Sequence, residues 1–266
     1  MSSGTDMSMV KLTILLALNC FFSGNLLAED KIIIIGVAEF PPYIIEEGYK
    51  LKNNTIGYGI DLDILIEAIK RANYQYNVQF YPFARISPSL ANNIIDVTPS
   101  MFISTDMPAN KYILYDSGGS TSIYQLANKK NVIANVADLK GKTIGIVRGD
   151  YYGERFKEVV NELNLTLTTA NNDKMNFQML LHQRMDLLAI NSVVGQFLIK
   201  QMSIATLVSE SPLKLNYSYQ GEHAGIHFLF NLTIEQHVIE DIRKAVKSIH
   251  EDGFIDQLKA NYELGN

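Results

Sequence analysis

Cysteine is nearly absent from this sequence, which contains a single one, Cys20, in 266 residues. One cysteine cannot form an intramolecular disulfide, so the stability of the fold must come from its hydrophobic core. Hydrophobic residues make up 47% of the chain and charged residues 19%, which is typical of globular proteins. The length allows one large domain or two small ones.

Positive charge is also scarce. The chain has 23 lysines and arginines against 28 acidic residues, a formal net charge of −5, and its basic residues form no stripe. Proteins that bind nucleic acids depend on concentrated positive charge. We therefore expect no nucleic-acid partner.

Long hydrophobic runs are missing except near the N-terminus. Lys11 precedes an apolar run over residues 12–22, and Ala28 stands just before three charged residues. A basic residue, roughly 7–15 apolar residues and a small residue at the cleavage point are typical of a secretory signal peptide. A membrane-spanning helix would need about 20 apolar residues. We predict a signal peptide over residues 1–28, the alternative being a buried N-terminal helix.

The one cysteine falls inside this segment. Residues 17–19, directly before Cys20, match the small-residue pattern of a lipid-attachment site poorly, so we predict no lipid anchor. The chain that follows the signal peptide has no cysteine. An exported domain of this size without disulfides is expected in a bacterial periplasm.

Motifs for catalysis are not found. The sequence has no Gly-x-Ser-x-Gly, no phosphate-binding loop and no cysteine nucleophile after the signal peptide. His223 and His227 have a spacing that binds zinc on a helix, but their segment is predicted to be a strand. On a strand they would lie about 13 Å apart. We predict no metal, no cofactor and no enzymatic activity.

The remaining chain alternates short apolar strands with helices, which predicts α/β units. Residues 32–37 form a β-branched apolar run typical of a strand buried on both faces. Asp61 is the predicted N-cap of an amphipathic helix. The alternation starts again near residue 122, and residues 223–266 resemble a return to the first unit. The predicted domains are therefore residues 29–121 and 223–266 for lobe 1 and residues 122–222 for lobe 2.

Aromatic residues follow the first predicted strand. In open α/β sheets small ligands bind just beyond the carboxyl ends of the strands. Phe40 and Tyr43 stand there on a backbone stiffened by two prolines. We predict that they form one wall of a small-molecule pocket.

Several short strings occur in a characteristic order. They are Gly36-Val37 to Phe40-Pro41-Pro42-Tyr43, Gly57 to Asp63, Ile95-Asp96, Asp138 to Lys142 before Gly145-Ile146-Val147, Arg184-Met185-Asp186 and Ala224-Gly225-Ile226. In this order and spacing the chain resembles the bacterial extracellular solute-binding proteins of family 3, the amino-acid-binding components of ABC importers. The resemblance implies a two-lobed type II periplasmic-binding-protein fold. Each lobe would be a mostly parallel sheet flanked by helices, and two crossovers, near 118–123 and 222–227, would act as hinges.

The resemblance also implies a ligand site in the cleft between the lobes. Phe40 would stack on the ligand, Phe83 would close the other side, and residues 100–105 would hold a carboxylate. The loop 148–152 would wrap the ligand from the second lobe, and Asn191 would stand where the ammonium binds. The full set of predicted ligand-binding residues is Phe40, Tyr43, Phe83, Arg85, Ser100, Met101, Phe102, Arg148, Asp150, Tyr151, Tyr152 and Asn191.

Two positions depart from the family pattern. The arginine expected three residues after Thr105 is replaced by Pro108, and residues 104–111 contain no arginine. Asn191 stands where an aspartate normally pairs with the ammonium, and a buried unpaired ammonium is costly. Arg85 or Arg148 could replace the missing guanidinium. We therefore expect a ligand with an anionic or neutral polar head.

These features together predict a monomeric periplasmic protein that captures a small polar organic solute, amino-acid-like or carboxylate-bearing. It would close on the solute and present it transiently to an ABC permease in the inner membrane. Two alternatives remain open. One is an enzyme like the cyclohexadienyl dehydratases, with Glu39 or Asp150 as proton donor. The other is a ligand-sensing module that docks on a chemoreceptor or kinase.

Overall fold

The computed structural model describes residues 31–46, 57–101, 108–116, 120–216 and 225–262. The predicted signal peptide with Cys20, Phe102 of the predicted site, and parts of both predicted crossovers lie outside these residues. Within them, no helix is both long enough and apolar enough to cross a bilayer.

Strands and short helices alternate along the described chain. Its strands are β1 (Ile32–Val37), β2 (Ile45–Glu46), β3 (Gly57–Tyr58), β4 (Gln75–Phe80), β5 (Val97–Met101), β6 (Tyr112–Asp116), β7 (Ser120–Leu126), β8 (Thr143–Val147), β9 (Thr166–Ala170), β10 (Leu187–Asn191), β11 (Val208–Asn216) and β12 (Ile226–Phe230). Its α-helices are α1 (Ile60–Arg71), α2 (Phe83–Ala91), α3 (Glu154–Leu163), α4 (Asp173–Leu181), α5 (Ser192–Gln201), α6 (Gln236–Glu251) and α7 (Phe254–Asn261). Two 3₁₀ turns cover Ala109–Lys111 and Val136–Leu139.

The strands form two five-stranded sheets with the orders β4-β1-β5-β12-β6 and β11-β7-β10-β8-β9. In the first sheet β1 and β5 are parallel, whereas β12 runs antiparallel to both of its neighbours. In the second, β8 is parallel to β9 and β10, whereas β7 is antiparallel to β10 and β11. Both sheets are therefore mixed rather than mostly parallel. The chain passes from the first sheet to the second between β6 and β7 and returns between β11 and β12.

Two amphipathic helices cover the first sheet. Ile242, Val246 and Ile249 recur at helical spacing along α6 and are buried, and α1 contributes Leu62 and Leu65 to the same core cluster. Burying each such side chain contributes about 1.5–3 kcal/mol. The polar faces of both helices remain outside this core, as the spacing of their apolar residues predicts.

The prediction that Asp61 caps α1 is wrong. The helix begins at Ile60, its N-cap is Gly59, and Asp61 is fully buried inside the first turn. Gly59 has a φ of 138°, and a Cβ there would lie 2.4 Å from the carbonyl oxygen of Tyr43. Glycine is therefore required at the cap, because a side chain would clash with the turn that follows β1.

Candidate ligand-binding site

A cavity of about 270 Å³ lies where the loops of the two lobes meet beyond the ends of β1, β4, β8 and β9. Its lining residues come from both sheets and surround a space in the size range of small-ligand sites. They are Ala38, Glu39, Phe40, Glu46, Phe80, Tyr81, Pro82, Phe83, Val147, Asp150, Asn171, Asn172 and Asp173. Of the predicted site residues, this set includes Phe40, Phe83 and Asp150.

One wall of the cavity is aromatic and is held by the turn after β1. The backbone of Phe40 exchanges hydrogen bonds with that of Ile44, at 2.8 and 2.9 Å, which fixes the ring beside the cavity. Tyr43 is 8% exposed and stacks on the Phe40 ring with centroids 5.5 Å apart. Tyr43 thus packs in the core and supports Phe40 from behind, whereas Phe83, the first residue of α2, lines the cavity itself.

Four acidic side chains of the lining form the acidic wall. Glu39 and Glu46 from the first lobe and Asp150 and Asp173 from the second all line the cavity. Burial raises the pKa of Asp150 to about 7, although Asp150 Oδ1 accepts a hydrogen bond from the Tyr151 N–H at 2.7 Å. Asp173 is buried and Asp150 is half-buried, whereas Glu39 and Glu46 are exposed. A carboxylate that loses hydration beside like charges resists ionisation.

The pKa of Asp173, in the second lobe, is raised in part by Glu39 of the first lobe. Burial, followed by the nearby charges of Asp150 and Glu39, raises the pKa of Asp173 well above its ordinary value. Burial and the charge of Glu46 likewise raise the pKa of Glu39, and Lys174 partly offsets this effect. The acidic wall therefore lacks sufficient compensating positive charge in the described structure.

Asp173 has the most constrained position of these acids. It begins α4 directly after Asn172, whose side chain caps the helix by accepting from the Met175 N–H at 2.9 Å. Asp173 is 6% exposed, and among the described residues its Oδ1 atom has no hydrogen-bond partner. Leaving a buried carboxylate oxygen unsatisfied is costly, so this atom is suited to receive a donor from a ligand.

Two arginines and an asparagine of the predicted set do not line the cavity. Arg85 and Arg148 are exposed and do not line the cavity. Asn191 is 4% exposed and caps α5, because its Oδ1 accepts from the Val193 and Val194 N–H groups at 3.0 and 3.3 Å. The structure therefore gives Asn191 a helix-capping position, away from the lining residues.

The two tyrosines of the predicted loop support the second lobe. Tyr152 is buried, and its Oη accepts from the Val147 N–H at 2.8 Å. Its carbonyl oxygen accepts from Thr121 Oγ1 at 3.0 Å, which ties the loop to β7. Tyr151 is half-buried and donates to Glu154 Oε1 at 3.1 Å. Neither tyrosine lines the cavity, and both hold the loop that carries Asp150.

Ser100 lies at the end of β5 in a strained conformation. Its φ is 61°, in the left-handed region that residues other than glycine rarely adopt. Two hydrogen bonds hold it there: its N–H donates to Tyr115 Oη at 2.9 Å, and its Oγ donates to Asp61 Oδ2 at 2.6 Å. Burial and the Asp61 carboxylate raise the pKa of Tyr115 well above its ordinary value. This network fixes Ser100 and Met101 at the start of the predicted carboxylate-binding segment, and neither residue is among those that line the cavity.

Replacing Tyr115 by Phe is expected to destabilise the protein by about 1–3 kcal/mol, because the Ser100 N–H loses its acceptor and Asp61 loses a donor. Urea unfolding followed by circular dichroism measures this change. Tyr58→Phe is the matched control, because the Tyr58 side chain is 40% exposed. Equal stability of the two variants would show that the buried network contributes nothing.

The two lobes also contact each other beside the cavity. Gly149 has a φ of 82°, and a Cβ on it would lie 3.0 Å from the Cα atom and 3.2 Å from the Cβ atom of Ala84. Ala84 belongs to α2 of the first lobe, whereas Gly149 belongs to the loop after β8 in the second. The close approach leaves room for glycine at position 149 and for no larger residue without movement.

Sequence reasoning missed several lining residues, above all those that follow β9. Asn171, Asn172 and Asp173 stand directly after this strand, which the sequence did not reveal. The rule that ligands bind past strand ends would have pointed to them once β9 was recognised. Glu39 was considered only as a proton donor, and Glu46 was not considered. Among the described residues, no three His, Cys, Asp or Glu side chains are grouped so as to hold a metal ion.

Comparison with known proteins identifies relatives over nearly the whole chain, although no protein-family model matches it. The arginine-binding extracellular protein ArtP of Bacillus subtilis is 24% identical over 252 residues, covering 91% of this chain and 90% of the relative. A probable histidine-binding protein of Campylobacter jejuni is 22% identical, covering 86% of this chain and 84% of the relative.

A solved structure of a binding protein is also similar to this chain over nearly its whole length. An ancestral arginine-binding protein bound to arginine superimposes with a TM-score of 0.70 at 21% identity, covering 88% of this chain and 99% of its own. Both curated relatives carry the names of binding proteins, which supports the prediction that this chain is not an enzyme. The chain thus has the two-lobed periplasmic-binding-protein fold, and its resemblance to extracellular amino-acid-binding proteins is confirmed.

Proposed function

We propose that this protein captures a small, amino-acid-like solute that carries a positive charge, in the cavity between its two lobes. The acidic wall carries this proposal. Four carboxylates line one small cavity, and the most buried of them, Asp173, has an oxygen without a partner among the described residues. A cationic ligand group would supply both the missing charge and the missing hydrogen-bond donor.

The aromatic wall fits the same ligand class. Phe40 and Phe83 face the cavity that the carboxylates line. A guanidinium or ammonium group is attracted to the face of an aromatic ring by about 0.5–2 kcal/mol. An anionic head, which the missing arginine after Thr105 led us to expect, would instead be repelled by the carboxylates. The names of the curated relatives, an arginine-binding and a probable histidine-binding protein, support a basic solute.

The dehydratase alternative is disfavoured by the same charges. Asp150 has a pKa of about 7, raised by burial, which would suit a proton donor. A prephenate-type substrate, however, carries two carboxylates of its own. The described lining residues offer such a substrate four carboxylates and neither a lysine nor an arginine. The cavity therefore repels the substrate that this chemistry requires.

The biological setting is part of the proposal. One relative is named an extracellular protein, which supports a location outside the cytoplasm. We infer that residues 1–28 are removed on export to the periplasm, and that the monomeric protein delivers its solute to an ABC permease. Rotation about the two crossovers would bring the lobes together on the solute, because only then do both lobes contact it.

A thermal-shift screen tests the ligand class directly. Lysine, arginine, histidine and their decarboxylated amines, cadaverine, agmatine and histamine, are added separately, with glutamate and succinate as anionic comparisons. A bound ligand raises the melting temperature by mass action. We expect the largest shifts from the cationic compounds. Shifts caused by the anionic compounds alone would contradict the proposal.

Replacing Phe40 by Ala is expected to weaken binding of the best cation in that screen at least tenfold, because the ring that stacks on it is removed. Isothermal titration calorimetry measures the change. Phe254→Ala is the matched control, since Phe254 is also half-buried and contacts a cation, Arg71, at 5.7 Å. Unchanged affinity in Phe40→Ala would remove Phe40 from the binding site.

A further inference from the structure

We propose that the second lobe binds a small free oxyanion, of the phosphate or sulfate type, at the end opposite the ligand cavity. The proposal goes beyond solute capture and does not depend on it. It concerns a pocket of about 190 Å³ at the amino ends of β8 and β10. Lys129, Lys130 and Lys142 line this pocket, which we call the lysine pocket.

The lysine pocket is separate from the ligand cavity. Lys142 directly precedes Thr143, the first residue of β8, whereas Val147, the last residue of that strand, lines the ligand cavity. A strand rises about 3.3 Å per residue, so the two sites lie roughly 15 Å apart. An oxyanion in the lysine pocket would therefore not contact a solute in the cavity.

The lysine pocket is built from one continuous part of the described chain. All of its lining residues belong to residues 120–216. Ser120 and Asn216, at the two ends of this stretch, pair with each other across β7 and β11. Gln125, which lines the pocket, lies near the opposite end of β7. The pocket is therefore remote from both points at which the described stretch begins and ends.

Positive charge in the lysine pocket is not balanced by ion pairs. Lys129, Lys130 and Lys142 form no ion pair with a described carboxylate, whereas other lysines do, namely Lys157, Lys214, Lys244 and Lys247. Asp186 is the one acid among the lining residues, and its Oδ2 accepts from the Thr143 N–H at 2.9 Å. The lining thus carries three positive charges against one negative, a net charge of +2, which attracts a dianion.

A buried amide adds a neutral donor to the lysine pocket. Gln125 is only 6% exposed, and its side chain makes no hydrogen bond to a described residue. Its neighbours in the lining, Ile133 and Leu187, are buried in the core of the second lobe. The amide of Gln125 can donate two hydrogen bonds, and leaving such a group buried without a partner is costly. An oxyanion would supply the missing acceptor.

The size and chemistry of the lysine pocket favour a small inorganic oxyanion. A lysine ammonium acts as a compact point charge that binds phosphate oxygens well. The pocket is smaller than the ligand cavity and smaller than most sites for organic cofactors. Its concave lining suits a free oxyanion better than the headgroups of a lipid surface.

Isothermal titration calorimetry with inorganic phosphate and with sulfate tests the proposal, using the purified chain at pH 8 and low ionic strength. We expect saturable binding of both anions and a rise in melting temperature, since a ligand of the folded state stabilises it. Sodium chloride at the same ionic strength should not reproduce either effect. Absence of both effects, or the same response to chloride, would overturn the proposal.

Charge variants identify the site. Lys142→Gln should weaken phosphate binding about tenfold or more, because it removes a charge-assisted hydrogen bond. Lys130→Gln should have the same direction of effect. Lys140→Gln is the matched control, because Lys140 is an exposed lysine two residues from Lys142 and does not line the pocket. Equal losses in Lys140→Gln and Lys142→Gln would assign the effect to general surface charge and overturn the proposal.

Lipid vesicles distinguish a free oxyanion from a membrane surface. The unmodified protein is sedimented with vesicles of phosphatidylglycerol and, separately, of phosphatidylcholine. We expect it to stay in the supernatant in both cases while it binds inorganic phosphate in the calorimeter. Sedimentation with phosphatidylglycerol, together with no binding of inorganic phosphate, would overturn the proposal in favour of a lipid-binding surface.

Discussion

Replacing Asp150 by Asn is expected to stabilise the ligand-free protein at pH 8 while weakening its affinity for a cationic solute. The side chain is half-buried among other acids, and its loss of hydration raises its pKa to about 7. The ionised carboxylate is therefore less favourable in the folded protein than in the unfolded chain. Asparagine retains an oxygen that can accept from the Tyr151 N–H, so the loop keeps its hydrogen bond while the charge is removed.

The direction of the pH effect follows from the two pKa values. An aspartate in the unfolded chain titrates near its ordinary value of about 3.9, whereas Asp150 in the folded protein titrates near 7. Between these values the folded protein binds more protons, so its stability falls as the pH rises from about 4 to about 7. Above that window both states are ionised and the contribution of Asp150 stays constant.

The expected size is moderate, because Asp150 is partly accessible to solvent. We expect Asp150→Asn to gain about 1–2 kcal/mol at pH 8, an increase of roughly 2–8 °C in melting temperature. Thermal melts from pH 4.5 to 8 measure it, and the advantage of the variant should shrink towards pH 4.5. Asp256→Asn, at an exposed aspartate of α7, serves as the control. A stability difference that does not change with pH would contradict the assignment of the raised pKa to Asp150.

Binding should show the opposite pH dependence. A cation favours the ionised carboxylate, so affinity of the unmodified protein for agmatine should fall by about tenfold for each pH unit below 7 while one proton is taken up. Asp150→Asn should bind more weakly at pH 8 and lose much of this dependence. Removing an acid would thus exchange ligand affinity for stability, as is common at functional sites.

The parts of the fold that the sequence predicted well are its buried elements. The strand at residues 32–37 is confirmed, because a β-branched apolar run favours a buried strand. The edge strands β9 and β11 were missed for the opposite reason. β9 is rich in threonine and β11 contains Pro212, so neither is an apolar run. Their pairing with β8 and β7 decides their structure.

The candidate ligand-binding site was likewise predictable only in part. Phe40, Phe83 and Asp150 lie at one cavity because strand ends meet at the edges of the sheets, although their roles in binding stay predictions. The charge of the cavity was not predictable, because it depends on acids from distant parts of the chain. Asp173 lines the cavity, but it can be assigned there from sequence only if β9, the strand before it, is recognised. The local capping rule also failed for Asp61, since the contact between Gly59 and Tyr43 decides where the helix begins.

Replacing Gly149 by Ala is expected to weaken agmatine binding about tenfold or more by separating the two lobes. The new Cβ would lie 3.0 Å from the Cα of Ala84, a backbone atom of α2 that cannot move by rotation of a side chain. If the ligand-binding conformation requires this contact, its population falls and the apparent affinity falls with it. The lobes would be held apart although every residue that lines the cavity is unchanged.

Gly141→Ala is the control that separates the loss of the contact between the lobes from the cost of backbone strain. Gly141 also has a positive φ, 75°, but a Cβ there would have nothing within 4 Å. Both substitutions place alanine in the left-handed region, which costs roughly 1–2 kcal/mol, so both should lower the melting temperature of the ligand-free protein by similar amounts. Calorimetry with agmatine should then find a large loss of affinity in Gly149→Ala and little change in Gly141→Ala. Equal affinities would mean that the contact between the lobes at Ala84 is not part of the ligand-bound conformation.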